Sequence, residues 1–224
     1  MRGRFITFEG GEGTGKSTHT KLLAEHLRSI GIEVVLTREP GGSPGAEIIR
    51  HVILSGAAKP LGPEAETMLF ASARDDHLRT TIRPALHRGA WVICDRFADS
   101  TRVYQGIVGS VDPRLIGELE RITVGDTRPD LTFVLDVPAD VGLARATQRR
   151  GADQADRFES EALEFHQKLR AGFRALAESE PARCVLVDVT AAPAEVAAQI
   201  RSIVEQRLHP RRRAQPLARP LRER

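Results

Sequence analysis

No run of about 18 apolar residues occurs anywhere in the 224-residue chain, so a membrane-spanning helix is excluded. Residues 1–9 also lack the apolar core and cleavage site of a secretory signal. Arg2, Arg4 and Glu9 bracket a short strand-like run, and a cytoplasmic location is expected. Cysteine is scarce. Cys94 and Cys184 both lie in apolar runs and are expected to be buried free thiols, because a metal site needs more ligands at motif spacing. A general basic excess is missing too. The formal charge is +3, but residues 210–224 hold six arginines and one glutamate, and without them it falls to −2. That stretch, with Pro210, Pro216 and Pro220, reads as a disordered, solvated tail beginning at 209. No specific nucleic-acid partner is expected, although a weak polyanion contact of the tail stays open.

What is present suits one soluble globular domain over residues 1–208: 41% hydrophobic and 28% charged residues, with no internal repeat or dividing linker. Five short runs are apolar on both alternating faces, as parallel strands covered on both sides must be. They are Phe5–Glu9, Glu33–Thr37, Trp91–Asp95, Leu131–Val137 and Cys184–Asp188. Helical periodicity separates them over Ser17–Ile30, Glu64–Leu78, Pro113–Val124, Ala139–Arg149, Ser160–Glu178 and Pro193–Arg207, with Pro84 expected to bend or interrupt the second. Strands alternating with helices predict a doubly wound α/β domain, a five-stranded parallel sheet flanked by helices on both faces. Three loops rich in Gly, Asp, Glu and Arg, at Glu9–Lys16, Thr37–Gly45 and Asp95–Gly106, should then meet at the carboxyl ends of the strands.

The first of these loops carries the chemistry. Gly10, Gly11, Glu12, Gly13, Thr14, Gly15, Lys16 and Ser17 match the phosphate-binding pattern G-x(4)-G-K-[ST] between a strand and an amphipathic helix. This predicts the P-loop nucleotide-binding fold. Glycines let backbone N–H groups converge on phosphate oxygens, and the helix N-terminus adds its dipole. Lys16 should reach the β- and γ-phosphates of ATP, and the Ser17 hydroxyl should ligate Mg²⁺. Asp95, an acid closing an apolar strand, is a second Mg²⁺ candidate or merely starts a turn. Glu9 is a weaker one at the same sheet edge. No Asn-Lys-x-Asp guanine motif follows a later strand, and Ile53-Leu54-Ser55-Gly56 only grazes the signature of transporter-type ATPases. Small-molecule phosphoryl transfer remains, with a non-catalytic nucleotide switch using the Arg-rich tail as the other class.

Beyond the loop, the chain resembles the bacterial thymidylate kinases over residues 4–207. The matching segments are Phe8 through Thr18, Thr37-Arg38-Glu39-Pro40-Gly41-Gly42, Leu69 through Arg74, Asp95-Arg96-Phe97, Ser100 through Gly106, and Asp156 through Glu159. The resemblance implies ATP and thymidine 5′-monophosphate as substrates, Mg²⁺ as cofactor, and a homodimer formed through helices including Glu64–Leu78 and Pro113–Val124. It implies that Phe70 stacks on thymine and that Arg74, one helical turn on, donates to thymine O4. By residue type alone, the two are a core aromatic and a surface charge. It implies that Arg96 grips the acceptor phosphate, with help from Arg38 near Pro40, where surface ion pairs are the alternative. Ser100 and Thr101 would face the base edge and Gln105 the acceptor, Tyr104 would crowd the sugar C2′, and Glu12 would approach the sugar 3′-hydroxyl. Thr18 completes the ATP-binding stretch.

A lid around 145–158 is expected, because Arg145, Arg149, Arg150 and Arg157 bracket the small polar segment Gly151–Ala155. Position 13 is Gly where one branch of the resembled family carries a catalytic arginine. The branch without it draws the charge from the lid, so Arg149 or Arg150 is expected to meet the transferred phosphoryl group. A phosphate acceptor is already ionised at neutral pH, its second pKa being about 6, so no general base is needed. His19, His26, His51, His77, His87 and His166 accordingly receive no chemical role. A kinase for another nucleotide or a nucleoside is the alternative; for a nucleoside, Glu39 is the candidate base.

Overall fold

In the computed structural model, which describes residues 2–150 and 158–209, the strands β1 (Phe5–Glu9), β2 (Val34–Arg38), β3 (Trp91–Asp95), β4 (Leu131–Asp136) and β5 (Cys184–Asp188) form one parallel sheet. Its order is β2-β3-β1-β4-β5. β1 and β4 are buried at every residue, which explains why they read as unbroken apolar runs. Side chains still alternate between faces with period two. Ile6, Phe8, Phe133 and Leu135 pack with Leu23 and Leu27 of α1 (Lys16–Ser29) and with Val196 and Ile200 of α9 (Pro193–Leu208). Phe5, Val92 and Cys94 face the opposite layer, against Leu78, Ile82 and Leu86. The interior hydroxyls of Thr7 and Thr132 pair across β1 and β4 at 2.7 Å, which removes the cost of burying them unpaired. Cys94 and Cys184 are buried free thiols.

The remaining helices are α2 (Pro44–Leu54), α3 (Pro63–His77), α4 (Arg83–His87), α5 (Ala98–Thr101), α6 (Pro113–Thr123), α7 (Ala139–Arg150) and α8 (Leu163–Ser179). Two differ from expectation. The loop expected over Thr37–Gly45 ends early: α2 starts at Pro44, with extended Ser43 before it and the proline in the first helical turn, where its missing N–H costs nothing. The stretch Asp95–Gly106 was also expected to be a loop. It is helical from Ala98, continuing as a π-type turn over Arg102–Val108. A second π-type turn, Leu78–Ile82, takes up the register between α3 and Pro84, so the chain continues instead of breaking. The centre of the expected lid, 151–157, and the tail from 210 lie outside the described residues. Among the described residues no helix is long and apolar enough to cross a membrane.

Four of the five strands end on an acid: Glu9, Asp95, Asp136 and Asp188. The parallel register sets Asp95 opposite Phe8 and beside Arg38, so the carboxyl ends of the central strands share one rim. The core is close-packed beneath that rim, with the rings of Phe8 and Phe133 5.1 Å apart. Phe133→Ala is expected to destabilise the chain by about 3–5 kcal/mol. Urea unfolding should show this as a lower midpoint with an unchanged slope.

Candidate active site

The phosphate loop leaves β1 at Gly10, and α1 begins at Lys16 after Gly15 in the left-handed region (φ 83°). Thr14 Oγ1 donates to the Gly11 carbonyl at 3.0 Å and tightens the turn. Lys16 Nζ folds back over its own loop, donating to Gly11 O at 2.7 Å and Gly10 O at 3.1 Å. Burial, aided by the nearby Arg96 cation, lowers the Lys16 ammonium to about 8. Gly13 has φ 66°, and a Cβ there would lie 1.8 Å from the Gly142 carbonyl oxygen of α7. Loop and α7 are thus in backbone contact, and any side chain at position 13 must push them apart.

Ser17 and Asp95 meet at the mouth of the site, where the hydroxyl donates to Asp95 Oδ2 at 2.5 Å. Glu9 is placed differently. It is fully buried, accepting from the Phe97 N–H at 2.8 Å and from the Ser100 hydroxyl at 2.6 Å. Burial and the like charge of Asp99 push its carboxyl up to about 8. Both oxygens serve the turn after β3, which argues against the metal role considered for Glu9.

Arg96 is the hub. Its backbone sits in the left-handed region (φ 69°), an arrangement that costs a non-glycine residue of order 1 kcal/mol and that surrounding contacts must enforce. The Arg96 N–H donates to Phe8 O at 2.9 Å, locking the turn to β1. The guanidinium donates to Gly10 O at 3.0 Å, to Ser100 Oγ at 3.3 Å and to Glu12 Oε1 at 2.6 Å, and lies 5.1 Å from the centre of the Tyr104 ring. Tyr104 donates its hydroxyl to the same Glu12 oxygen at 2.9 Å. Burial alone would raise the Glu12 carboxyl, but the Arg96 and Lys16 cations and the Tyr104 hydroxyl bring it down to about 2.

Glu12, Lys16, Ser17, Asp95, Arg96 and Tyr104 line a cleft of about 610 Å³ together with Phe70, which is half-buried, and with Arg38, Pro40, Gln105, Thr18 and Arg149. Arg74 is not the surface charge its residue type suggested. It is 3% exposed, with Nε on Glu39 at 2.8 Å and Nη2 on Thr101 Oγ1 at 3.0 Å and Phe97 O at 3.3 Å. Arg74 also lines the cleft. The other Glu39 oxygen meets His77 Nδ1 at 3.1 Å, and His77 Nε2 meets Thr37 Oγ1 at 2.7 Å. No role for His77 follows from its sequence context; only its spacing from Arg74, one turn on, hints at this cluster. Arg38, half-exposed, pairs with Glu47 at 3.0 Å. Arg149 reaches Glu159 at 3.2 Å, whereas Arg145 is held by Val189 O at 3.0 Å. The Arg150 side chain and Arg157 lie outside the described residues.

Two predictions follow from this geometry. Gly13→Ala should lower the melting temperature by several degrees, on the order of 1–3 kcal/mol of overpacking, and cut turnover sharply; unchanged values would contradict the Gly142 contact. A carboxyl titrating near 2 in the folded chain and 4.5 in an open one adds stability that is complete above pH 4.5 and lost as pH falls toward 2. The stability gap between wild type and Glu12→Gln, no more than about 3 kcal/mol at pH 7, should therefore shrink in urea titrations at pH 4 and 3.

Comparison with known proteins agrees with this architecture. Residues 8–200 match the family model described as thymidylate kinase. A thymidylate kinase of Bradyrhizobium diazoefficiens is 60% identical over 209 residues, spanning 93% of this chain and 92% of that protein. One from Rhodopseudomonas palustris strain BisB18 is 61% identical over 208 residues, spanning 92% and 90%. The crystal structure of thymidylate kinase from Ehrlichia chaffeensis superposes with a TM-score of 0.74 at 33% identity, covering 91% of this chain and all of that one. Built on a P-loop sheet and matched over most of its length, the chain belongs to the thymidylate kinase family.

Proposed function

We propose that this protein transfers the γ-phosphoryl group of ATP to thymidine 5′-monophosphate, giving ADP and thymidine 5′-diphosphate. The observation that carries the reading is Arg96, which joins the phosphate loop, at Gly10 and Glu12, to Ser100 and the Tyr104 ring in the cleft edged by Phe70 and Arg74. One cation touching both the donor loop and the acceptor pocket is what a reaction between two anions requires. Lys16 turns from its loop carbonyls to the β- and γ-phosphates, which raises its lowered affinity for a proton. Phe70 offers a ring face to the base, and Arg74 Nη1 supplies a donor for a carbonyl there, set by Glu39 and Thr101. Thr101 and Gln105 line the acceptor side, and Arg38 stands at its rim. Glu12 receives the sugar hydroxyl, held in place by Arg96 and Tyr104. Arg149, on the cleft wall, or Arg150 supplies positive charge to the transferred group.

The Ser17 hydroxyl and Asp95 carboxylate fit Mg²⁺. They are hard oxygen donors at an exposed mouth, and Mg²⁺ takes few protein ligands beside water and phosphate oxygens. When bound, the ion neutralises charge on the β- and γ-phosphates. The acceptor oxygen is already ionised, so catalysis is positioning plus charge neutralisation. A nucleoside kinase is disfavoured, because Glu39 has both oxygens committed to Arg74 and His77. A homodimer belongs to the same reading: α3 and α6 pack together and leave Met68 and Ile122 47% and 66% exposed for a second copy to cover. A cytoplasmic location goes with it.

Assayed with ATP and Mg²⁺ against a panel of nucleoside monophosphates and thymidine, the protein should favour thymidine monophosphate. Faster turnover of thymidine itself would overturn the proposal. Lys16→Met should lower kcat by roughly 10²–10³-fold or more without loss of circular dichroism.

A further inference from the structure

Behind the phosphate loop lies a small, partly enclosed chamber of about 10 Å³. Gly11, Glu12 and Thr14 form its front, Asp136 at the end of β4 its floor, and His166 and Arg170 of α8 its back. His166 is 4% exposed, and neither ring nitrogen has a hydrogen-bond partner among the described residues. An imidazole always has one N–H donor and, when neutral, one acceptor; leaving both buried and unpaired is costly and rare. The chamber has about the room one water needs, and its walls offer the two to four polar partners that hold such a water. Asp136 is already paired with Arg170 at 2.8 Å and Arg174 at 2.7 Å, so its carboxylate needs no metal ion.

We propose that this chamber is a built site for one ordered water that links His166 to the back of the phosphate loop, making His166 a positioning residue for Glu12. The inference rests on the placement of the acceptor sugar at Glu12. It gives a use to a histidine whose sequence context suggested none. Glu12 is fixed on its cleft side by Arg96 and Tyr104, both on Oε1. On the far side its backbone borders the chamber and approaches Gly142. A water there would tie the loop backbone at Gly11 and Glu12 to α8, supporting from behind the residue whose carboxylate Arg96 and Tyr104 hold in front.

The test is a high-resolution crystal structure of the full chain, with steady-state kinetics of His166→Leu and His166→Gln. A water should stand within hydrogen-bond distance of a His166 nitrogen and of a polar group of residues 11–14. His166→Leu should raise KM for thymidine monophosphate about five- to tenfold with kcat within about twofold. His166→Gln, which can still bind the water, should restore KM. A dry chamber overturns the proposal whatever the kinetics, and the Gln variant and the crystal structure decide it even if the Leu variant fails to fold. A Leu variant with a higher melting temperature and unchanged KM overturns it equally, marking His166 as an unsatisfied core residue. Glu12→Gln separates the two readings: if it leaves KM for thymidine monophosphate unchanged, the acceptor placement fails while the water site can still stand.

Discussion

The site depends on a guanidinium held where a cation is hard to keep. Arg96 lies mostly out of solvent, on a backbone conformation that nothing but its contacts enforces. Those contacts come from one short stretch, the Phe8 and Gly10 carbonyls and the Glu12 carboxylate, and from Ser100 and Tyr104 in the helical segment that follows the arginine. Burying a charge is tolerated only when it is paired and hydrogen-bonded, and here the pairing also fixes the spacing of the donor loop and acceptor pocket. The π-type turn at Arg102–Val108 brings Tyr104 under the guanidinium, so the irregular helix and the strained arginine support one another.

A second layer of charge lies under the first and does not reach the cleft. Glu9 fastens Phe97 and Ser100; Asp99 takes two hydrogen bonds from Arg183 at 2.6 and 3.0 Å; Arg102 joins Glu120 and Glu180. Each carboxylate therefore restrains the segment after β3 from below. Preorganisation of this kind lets fixed dipoles and charges act on phosphate groups without rearranging during the reaction. The cluster of Glu39, Arg74 and His77 performs the same service on the other wall, aiming Arg74 by occupying its Nε and Nη2.

Strand positions and the phosphate loop were legible because their signals are local. A strand buried on both faces must be apolar throughout, and a loop that wraps phosphate must carry Gly and Lys at fixed spacing. α2 was not legible: Gly42 and Gly45 mask a helix whose start is marked only by Ser43 and Pro44. The helix at Ala98–Val108 escaped because its polar residues are turned toward Glu9, Glu12 and Arg183, giving a solvent-like pattern to a buried element. Arg74 and Glu9 share that cause. Sequence shows that a residue is charged, but whether the charge faces water or a buried partner depends on contacts 35 and 91 residues away. Where the resemblance assigned roles, the structure adds what orients each side chain, as with Arg74 set by Glu39 and Thr101.

The contact between Gly13 and Gly142 bears on how such an enzyme can change over generations. The Gly142 carbonyl oxygen stands where a Cβ on residue 13 would sit, and the Glu12 carbonyl crowds a Cβ on residue 142, so neither glycine can mutate alone without displacing backbone. Placing any larger residue at position 13 therefore demands a prior or simultaneous retreat of α7, the helix that carries Arg149. A loop with a side chain there and a loop without one are thus separated by a valley that single substitutions cross only at a loss. A lineage on one side is held there by the packing of two glycines.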